Sequence, residues 1–573
     1  MILSALVKRY ENRLAEGKIP KPGWSKAEIS FGLRLNESGE IADIVGFRTE
    51  TQRGKKSFIV PQKMEVPEQM ERTSGLTSNF LCDNEKYLLG LNDNEKCFEV
   101  AKKLHLDILE NCNSPTATAI KKFFSNWEPS ETENCPKLQK HIDDLKKGAN
   151  LVFMFDEKFA FEDEEIRTAW ETYKKTQIST TIMQCLITGK ISPIARLHHL
   201  IKGVRNAHSA GASMVSVNAS AFESYGKELS APISEYAAFA YTTALNDLLS
   251  DSDHVKYFGD TTVVYWAEEN SDACQNILCE LFDSGENEKT NKLLNQVMEG
   301  IQKNSINYEG ADLNFENPFY MLGLSANVAR LSVRFFLKQN FGEVVKNLAK
   351  HYSDLKIVKP AYKKFENIPL WQILAATVSP KSKDKKSSPI MSGATIRAIM
   401  SGQNYPVSLF QNVLIRIKAE NEGTHEKVAY EQAAIIKAYL TRNKGREISM
   451  ALDEKCTDKN YVMGRIFAVL EAIQSAANPG LNATIKDKYF NAACTTPNRI
   501  FAKLHQLAVH HLRKMEAGQK VYYEKQLQSL MEKIEPAEKS PARLSPEEQG
   551  MFILGYYHQT RERYKSKEER ENG

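Results

Sequence analysis

The chain has 573 residues, more than one hydrophobic core usually supports, so two to four domains are expected. Its 76 Lys+Arg against 72 Asp+Glu leave a formal net charge of +4, which excludes a uniformly polycationic nucleic-acid coat and leaves local clusters as the electrostatic signal to follow. Nine scattered cysteines show no Cys-x-x-Cys or zinc-finger spacing, and no apolar run nears the roughly 18 residues of a membrane span, so a reduced, cytoplasmic protein without membrane insertion is expected.

In chain order, apolar residues at 3, 6, 7, 10 and 14 predict an opening helix interrupted by charges, unlike a signal peptide. After Pro20-Lys-Pro-Gly-Trp24, residues 29–35 alternate as a strand, Asn36-Glu-Ser-Gly39 turns, and 41–47 reads as the hairpin partner. A third extended piece, 57–61, follows the basic turn Gln52-Arg-Gly-Lys-Lys56, so the opening is expected to be a small antiparallel sheet. Residues 87–147 read as mostly helical, 150–155 as a buried strand, 213–217 and 261–266 as further strands, and 234–249 and 272–282 as helices. The mixture predicts α+β architecture through about residue 360. Residues 286–299 read as a helix with a polar, solvated face. Val333-Arg-Phe-Phe-Leu337 is apolar enough to be buried, with helix and strand not separable.

The run 378–389 is rich in Lys, Ser and Pro and has no apolar anchor, which predicts a mobile loop or linker. Beyond it, 392–402, 407–419, 425–441, 461–477, 497–515 and 518–534 carry helical apolar spacing, broken at Asn478-Pro-Gly480. Ser545-Pro-Glu-Glu548 supplies a cap, a first-turn proline and two acids to a final helix. The expected organisation is a mixed region with small antiparallel sheets over 1–375, a linker over 376–390 and an all-α bundle over 391–573.

Three stretches carry chemistry. Arg48, Arg53, Lys55, Lys56 and Lys63 stand against Glu50 alone on a turn beside a strand, suited equally to nucleic-acid contact and to ordinary solvation. In residues 72–90, Asn79, Asp83 and Asn84 suit turns or base edges, turn-forming being the better reading of any one of them. Residues 196–226 join Arg196, Lys202 and Arg205 to a loop of small residues that includes Asn218 and Ser220, which admits a phosphate backbone or a closely packed chain. His198, His199 and His208 form no metal set, because neighbouring histidines on a helix diverge by about 100°. His510-His511 fares no better. Asp260 could serve a metal-dependent nuclease, yet no second acid is tied to it, and a Gly-Asp turn opening a strand explains it better. Walker, Rossmann and nucleophile-elbow patterns are absent, so no cofactor, metal or catalytic residue is expected.

Gly54-Lys-Lys56, Asn79-Phe-Leu-Cys-Asp-Asn84, the 196–226 stretch, Tyr241-Thr-Thr-Ala-Leu-Asn246, Gly259-Asp-Thr-Thr-Val-Val-Tyr-Trp-Ala-Glu268, Leu322-Gly-Leu-Ser-Ala-Asn-Val-Ala-Arg-Leu-Ser-Val-Arg-Phe-Phe336 and Gly555-Tyr-Tyr-His-Gln559 together resemble the large subunit of the type I-C CRISPR Cascade, from first helix to last. The resemblance implies a non-catalytic bacterial antiviral-defence subunit in a ribonucleoprotein complex built on a CRISPR RNA. Its expected partners are target double-stranded DNA, the Cascade backbone and handle-binding subunits, a small subunit corresponding to its own C-terminal region, and a helicase-nuclease. The N-terminal part would recognise the protospacer-adjacent motif, and the helical C-terminal part would steady the displaced strand of the R-loop. Residues 450–573 resemble the small subunit, and Met450 is a candidate internal start for a separate product of 124 residues; Met463, within a helix, is a weaker one. Candidate duplex contacts are Arg53, Lys55, Lys56, Asn79, Asn84, Arg196, Lys202, Arg205, Asn218 and Ser220. Candidate displaced-strand contacts are Arg465, Lys503, Arg513 and Lys514. The competing readings are a metal-dependent nuclease and a purely structural assembly scaffold.

Overall fold

The computed structural model describes the chain apart from residues 54, 55, 71, 73, 74, 93, 218, 225–230, 270, 271, 285, 304, 305, 366, 420–425, 482, 535–541 and 565–573. The chain is 50% helical and 17% strand, with small sheets early and helices late, which is the expected α+β class. It divides into two compact units: Met1–Lys202 with Ser209–Asp247, and Gly203–His208 with Leu248–Gly573. No described helix is long and apolar enough to cross a membrane, and all nine cysteines are free.

In the first unit, the helix Ile2–Ala15 buries Leu6, Val7 and Tyr10 as its spacing requires. Phe31–Leu35 pairs antiparallel with Ile41–Gly46, the predicted hairpin, but Ile29 belongs to the preceding strand Trp24–Ile29. The sheet is also mixed rather than purely antiparallel. Asn150–Phe155 returns parallel to Phe31–Leu35 and antiparallel to Cys82–Asn84, because the intervening helices act as a crossover. Glu95–Leu109, Pro115–Asn126 and Glu164–Thr176 pack on this sheet around Phe80, Phe98, Phe124, Phe153 and Trp170. His105 stands inside that aromatic core. Its Nδ1–H donates to Ala101 O at 2.7 Å and its Nε2 accepts from Leu81 N at 2.9 Å.

A second sheet carries the basic segment. The long strand Lys56–Pro67 pairs through 62–67 with Trp24–Ile29 and through 56–61 with Arg48–Arg53. Residues 213–217 form no strand; the pairing here is limited to single bridges at Ala212, to Ile201, and at Ser213. The apolar residues Met214, Val215 and Val217 find no partner strand among the described residues and stay only partly buried.

The second unit begins with a four-stranded antiparallel sheet in the order Val255–Phe258, Thr261–Ala267, Pro318–Asn327, Arg330–Asn340. Residues 333–337 are therefore strand, and only Phe335 among them is buried. Asp272–Phe282, Glu288–Lys303 and Phe341–Leu355 supply helices beside this sheet. Glu288–Lys303 is more than a solvated face, since it buries Leu293, Leu294 and Val297. One hydrophobic core runs from Phe258 to Tyr557 without a break. The 376–390 stretch lies within this unit, irregular up to the helix Pro389–Ser401 and anchored by a Ser387–Ser392 hydroxyl bond of 2.7 Å.

From Pro389 onward every regular element is a helix among the described residues. Val407–Ala419 matches its predicted bounds, and Ile485–Thr495 is an additional helix. Pro546–Arg563 opens on the predicted cap: Ser545 Oγ accepts from Glu548 N at 3.3 Å, while Glu548 Oε2 accepts from Ser545 N at 2.7 Å. This helix meets Lys459–Ala477 backbone to backbone. Gly464 faces the carbonyl of Phe552, and Gly555 faces that of Tyr461, a reciprocal contact with no room for a side chain.

Candidate nucleic-acid interface

The basic hairpin of the first unit is solvated along most of its described length. Residues 49–52 and 57–60 are all exposed, on both faces of a two-stranded ladder. Phe58, Ile59 and Val60 are 47%, 69% and 38% exposed, so an apolar run that would suit a core stands in water beside Lys63, also exposed. Lys55 lies outside the described residues, as do the side chains of Arg53 and Lys56. Arg48 is already engaged: its Nη1 lies 3.0 Å from Asp144 Oδ2 and its guanidinium 4.4 Å from the Phe31 ring centroid.

Residues 72–90 fold around the buried carboxylate of Asp83. It takes the Arg72 guanidinium, the Asn79 N–H at 2.8 Å and the Asn84 N–H at 2.7 Å. Burial raises the Asp83 pKa, opposed by Arg72 and the two backbone donors. The Asn79 amide is used on both ends, Oδ1 accepting from Met70 N at 2.7 Å and Nδ2 donating to Gln69 Oε1 at 2.8 Å. Both bonds hold the turn in place. Asn84 differs, because its Oδ1 is buried with no hydrogen-bond partner.

The 196–205 segment is irregular and not helical, so the histidines separate for another reason than helix geometry. His198 Nδ1 lies 2.7 Å from Tyr241 Oη, and burial lowers its pKa to about 4. His199 Nε2 lies 2.9 Å from Glu68 Oε1, while Lys174 Nζ holds Glu68 Oε2 at 2.8 Å. Burial would raise the Glu68 pKa, yet these two partners keep it below the ordinary carboxylate value. No group of three or more His, Cys, Asp and Glu side chains that could hold a metal ion occurs among the described residues.

Arg196 and Asn79 come together on one cleft of about 1740 Å³ in the first unit, lined by six cations and four carboxylates. Lys202 is exposed, and its backbone N–H donates to Asn246 Oδ1 at 2.8 Å. Arg205 belongs to the second unit, where Nη1 donates to Gly259 O at 3.0 Å and the guanidinium lies 5.1 Å from the Tyr257 ring centroid. Ser220 opens an exposed 3₁₀ turn, and Asn218 lies outside the described residues. Within the small-residue loop, Gly211 has φ +113°, and a Cβ there would stand 2.9 Å from Leu200 Cβ and 3.0 Å from Ile201 O. The close neighbour at that point is the chain itself.

In the second unit, Asp260 sits in the turn that opens Thr261–Ala267. It accepts from Ser325 Oγ at 2.8 Å with Arg334 Nη2 at 3.5 Å, a strand-end clamp. Arg465 is buried, its Nε donating to Gln559 Oε1 at 2.9 Å and its Nη1 to Asp453 O at 3.1 Å, so it braces the helices. Lys503, Arg513 and Lys514 are exposed on and just after Pro497–Leu512. Met450 is exposed, whereas Met463 is buried in Lys459–Ala477. Sequence reasoning missed the exposed Phe58–Val60 run and an exposed tyrosine cluster in the second unit. No signal in the sequence marks either, since both depend on which faces the fold leaves uncovered.

Comparison with curated proteins gave no match. A family model described as CRISPR-associated protein (Cas_Csd1) matches residues 6–564. That match reaches through both compact units, from within the opening helix Ile2–Ala15 to beyond the end of Pro546–Arg563. The chain therefore belongs to the Cas_Csd1 family of CRISPR-associated proteins, a component of Cascade.

Proposed function

We propose that this chain is the non-catalytic large subunit of a type I-C surveillance complex and reads the protospacer-adjacent motif on target duplex DNA. The observation that carries the reading is the two-stranded ladder of Arg48–Arg53 with Lys56–Pro61, whose sequence is basic and on which Phe58, Ile59 and Val60 stand exposed. Cations attract phosphates without regard to sequence, and an apolar side chain entering a groove or base step adds the geometric selectivity they lack. Guide pairing then carries sequence, and R-loop formation needs the protein only for the flanking motif and for backbones. In this reading residues 1–375 serve motif recognition and assembly. Residues 391–573 steady the displaced strand, 450–573 acts as a small-subunit equivalent, and the complex recruits a helicase-nuclease.

The test compares target-duplex binding by guide-loaded complexes carrying the wild-type chain, Lys55→Glu/Lys56→Glu, or Phe58→Ser, on substrates that differ only in the flanking motif. Loss of motif discrimination with intact assembly supports the reading. Unchanged discrimination in both variants makes the chain a scaffold. Cleavage by the isolated chain, abolished in Asp260→Ala while binding survives, would make it a nuclease.

A further inference from the structure

Tyr362, Tyr564 and Tyr522 are the three most exposed tyrosines among the described residues, at 68%, 67% and 54%. They come from separate parts of the second unit: the turn after Phe341–Leu355, the C-cap of Pro546–Arg563, and Ala517–Met531. All three line one cleft of about 760 Å³. Scattered exposed aromatics need no explanation, but convergence of the three most exposed ones does.

Two of the rings are fixed at their polar edges. Tyr362 Oη donates to Glu426 Oε2 at 3.1 Å, and Arg561 Nη2 holds Glu426 Oε1 at 2.6 Å. Tyr522 Oη accepts from Gln526 Nε2 at 2.9 Å. Hydroxyls tied in this way orient a ring while leaving its faces to water, which lowers the entropy lost when something stacks there. The lining is electrically balanced. Lys427, Lys486, Arg561 and Arg563 meet four glutamates, and the closest of these pairs already neutralise each other. Such a cleft exerts no net pull on phosphate, and its chemistry suits a flat uncharged ring with hydrogen-bonding edges.

We propose that this cleft takes unpaired nucleobases of single-stranded DNA, stacked on Tyr362, Tyr522 and Tyr564, with the phosphates left outside. The proposal rests on the reading that the C-terminal helices support the displaced strand, and it assigns the place where bases are held. A displaced strand changes sequence with every guide, so its support must tolerate any base. Stacking does so, because every base presents a π-face. Exposed Lys503, Arg513 and Lys514 supply the phosphate contacts that this cleft does not.

The experiment measures fluorescence anisotropy of a labelled oligothymidylate and of an abasic strand of equal length, with the full chain, at low and physiological salt. The variants are Tyr362→Leu, Tyr522→Leu, Tyr522→Phe and the triple reversal Lys503→Glu/Arg513→Glu/Lys514→Glu, each checked for an unchanged thermal melt. The expected result is that each leucine variant binds oligothymidylate about tenfold more weakly, by an amount independent of salt, because stacking releases no counterions. Tyr522→Phe should bind as wild type, and the wild type should hold the abasic strand weakly. Equal binding of both strands, or leucine variants that bind as wild type while the triple reversal weakens binding, overturns the cleft and leaves the displaced-strand reading standing. Binding untouched by either set overturns both. Thymidine monophosphate competing as well as the strand does, base for base, or tighter binding of an RNA strand, also overturns the assignment to single-stranded DNA.

Discussion

Gly464→Ala tests the backbone-to-backbone contact of the two central C-terminal helices. A Cβ at Gly464 would stand 1.9 Å from Phe552 O, and one at Gly555 2.0 Å from Tyr461 O. A carbon approaches a carbonyl oxygen to about 3.3 Å, so the helices must part by roughly 1.4 Å. The obstructing atoms are helix backbone and cannot rotate away as a side chain would. Overpacking of this kind costs about 3 kcal/mol, the upper end of the usual range. Alanine recovers about 1 kcal/mol of helix propensity over glycine. The net expectation is a loss of about 2 kcal/mol, larger for an unrelaxed clash. Urea denaturation followed by circular dichroism reads the change as a lower midpoint. Hydrogen exchange should localise it to Lys459–Ala477 and Pro546–Arg563. Gly518→Ala is the control, because nothing lies within 4 Å of its added Cβ, and it should be neutral or stabilising. The double variant Gly464→Ala/Gly555→Ala should lose less than the sum, since one separation relieves both clashes. A Gly464→Ala protein as stable as wild type, or one that gains stability as Gly518→Ala does, would refute the close-contact argument.

Three further outcomes are expected. Burial lowers the His105 pKa to about 4, so the unfolded chain takes the proton first; stability is fully present above pH 6.5 and falls toward pH 4. Its share, about 1.4 kcal/mol per pH unit in that window, should vanish from the pH dependence of urea midpoints in His105→Gln. Asp354→Ala should cost about 3–5 kcal/mol in denaturation experiments, because it strands the buried guanidinium of Arg442, now 2.8 Å from Asp354 Oδ2. The triple reversal of Lys503, Arg513 and Lys514 should flatten the slope of log affinity against log salt on single-stranded DNA by about 2, whereas Arg465→Gln should shift stability and leave the slope unchanged.

Elements bounded by strong local signals were legible. Thr261–Ala267, Asp272–Phe282 and Val407–Ala419 lie within a residue of their expected limits, because turn or cap residues and apolar periodicity agree there. Residues 213–217 alternate like a strand, yet no strand among the described residues pairs along them. Arg465 reads from the sequence as one more cation on the bundle helices, whereas Tyr461–Ile473 is buried all round. The basic turn was readable, but Phe58-Ile-Val60 reads as core by composition, and only its place on an isolated ladder exposes it. Tyr362, Tyr522 and Tyr564 are far apart in the chain, so their cleft is a product of tertiary folding alone.

The path of the chain has a consequence for its integrity. Gly203–His208 belongs to the second unit although the residues on both sides of it belong to the first. The hexapeptide is sewn in by Arg205 N to Thr262 Oγ1 at 3.0 Å, Arg205 Nη1 to Gly259 O at 3.0 Å and His208 N to Val328 O at 3.3 Å. The second unit therefore draws part of its own fold from upstream: a fragment beginning at Leu248 lacks Gly203–His208 and should melt lower than one given that hexapeptide back.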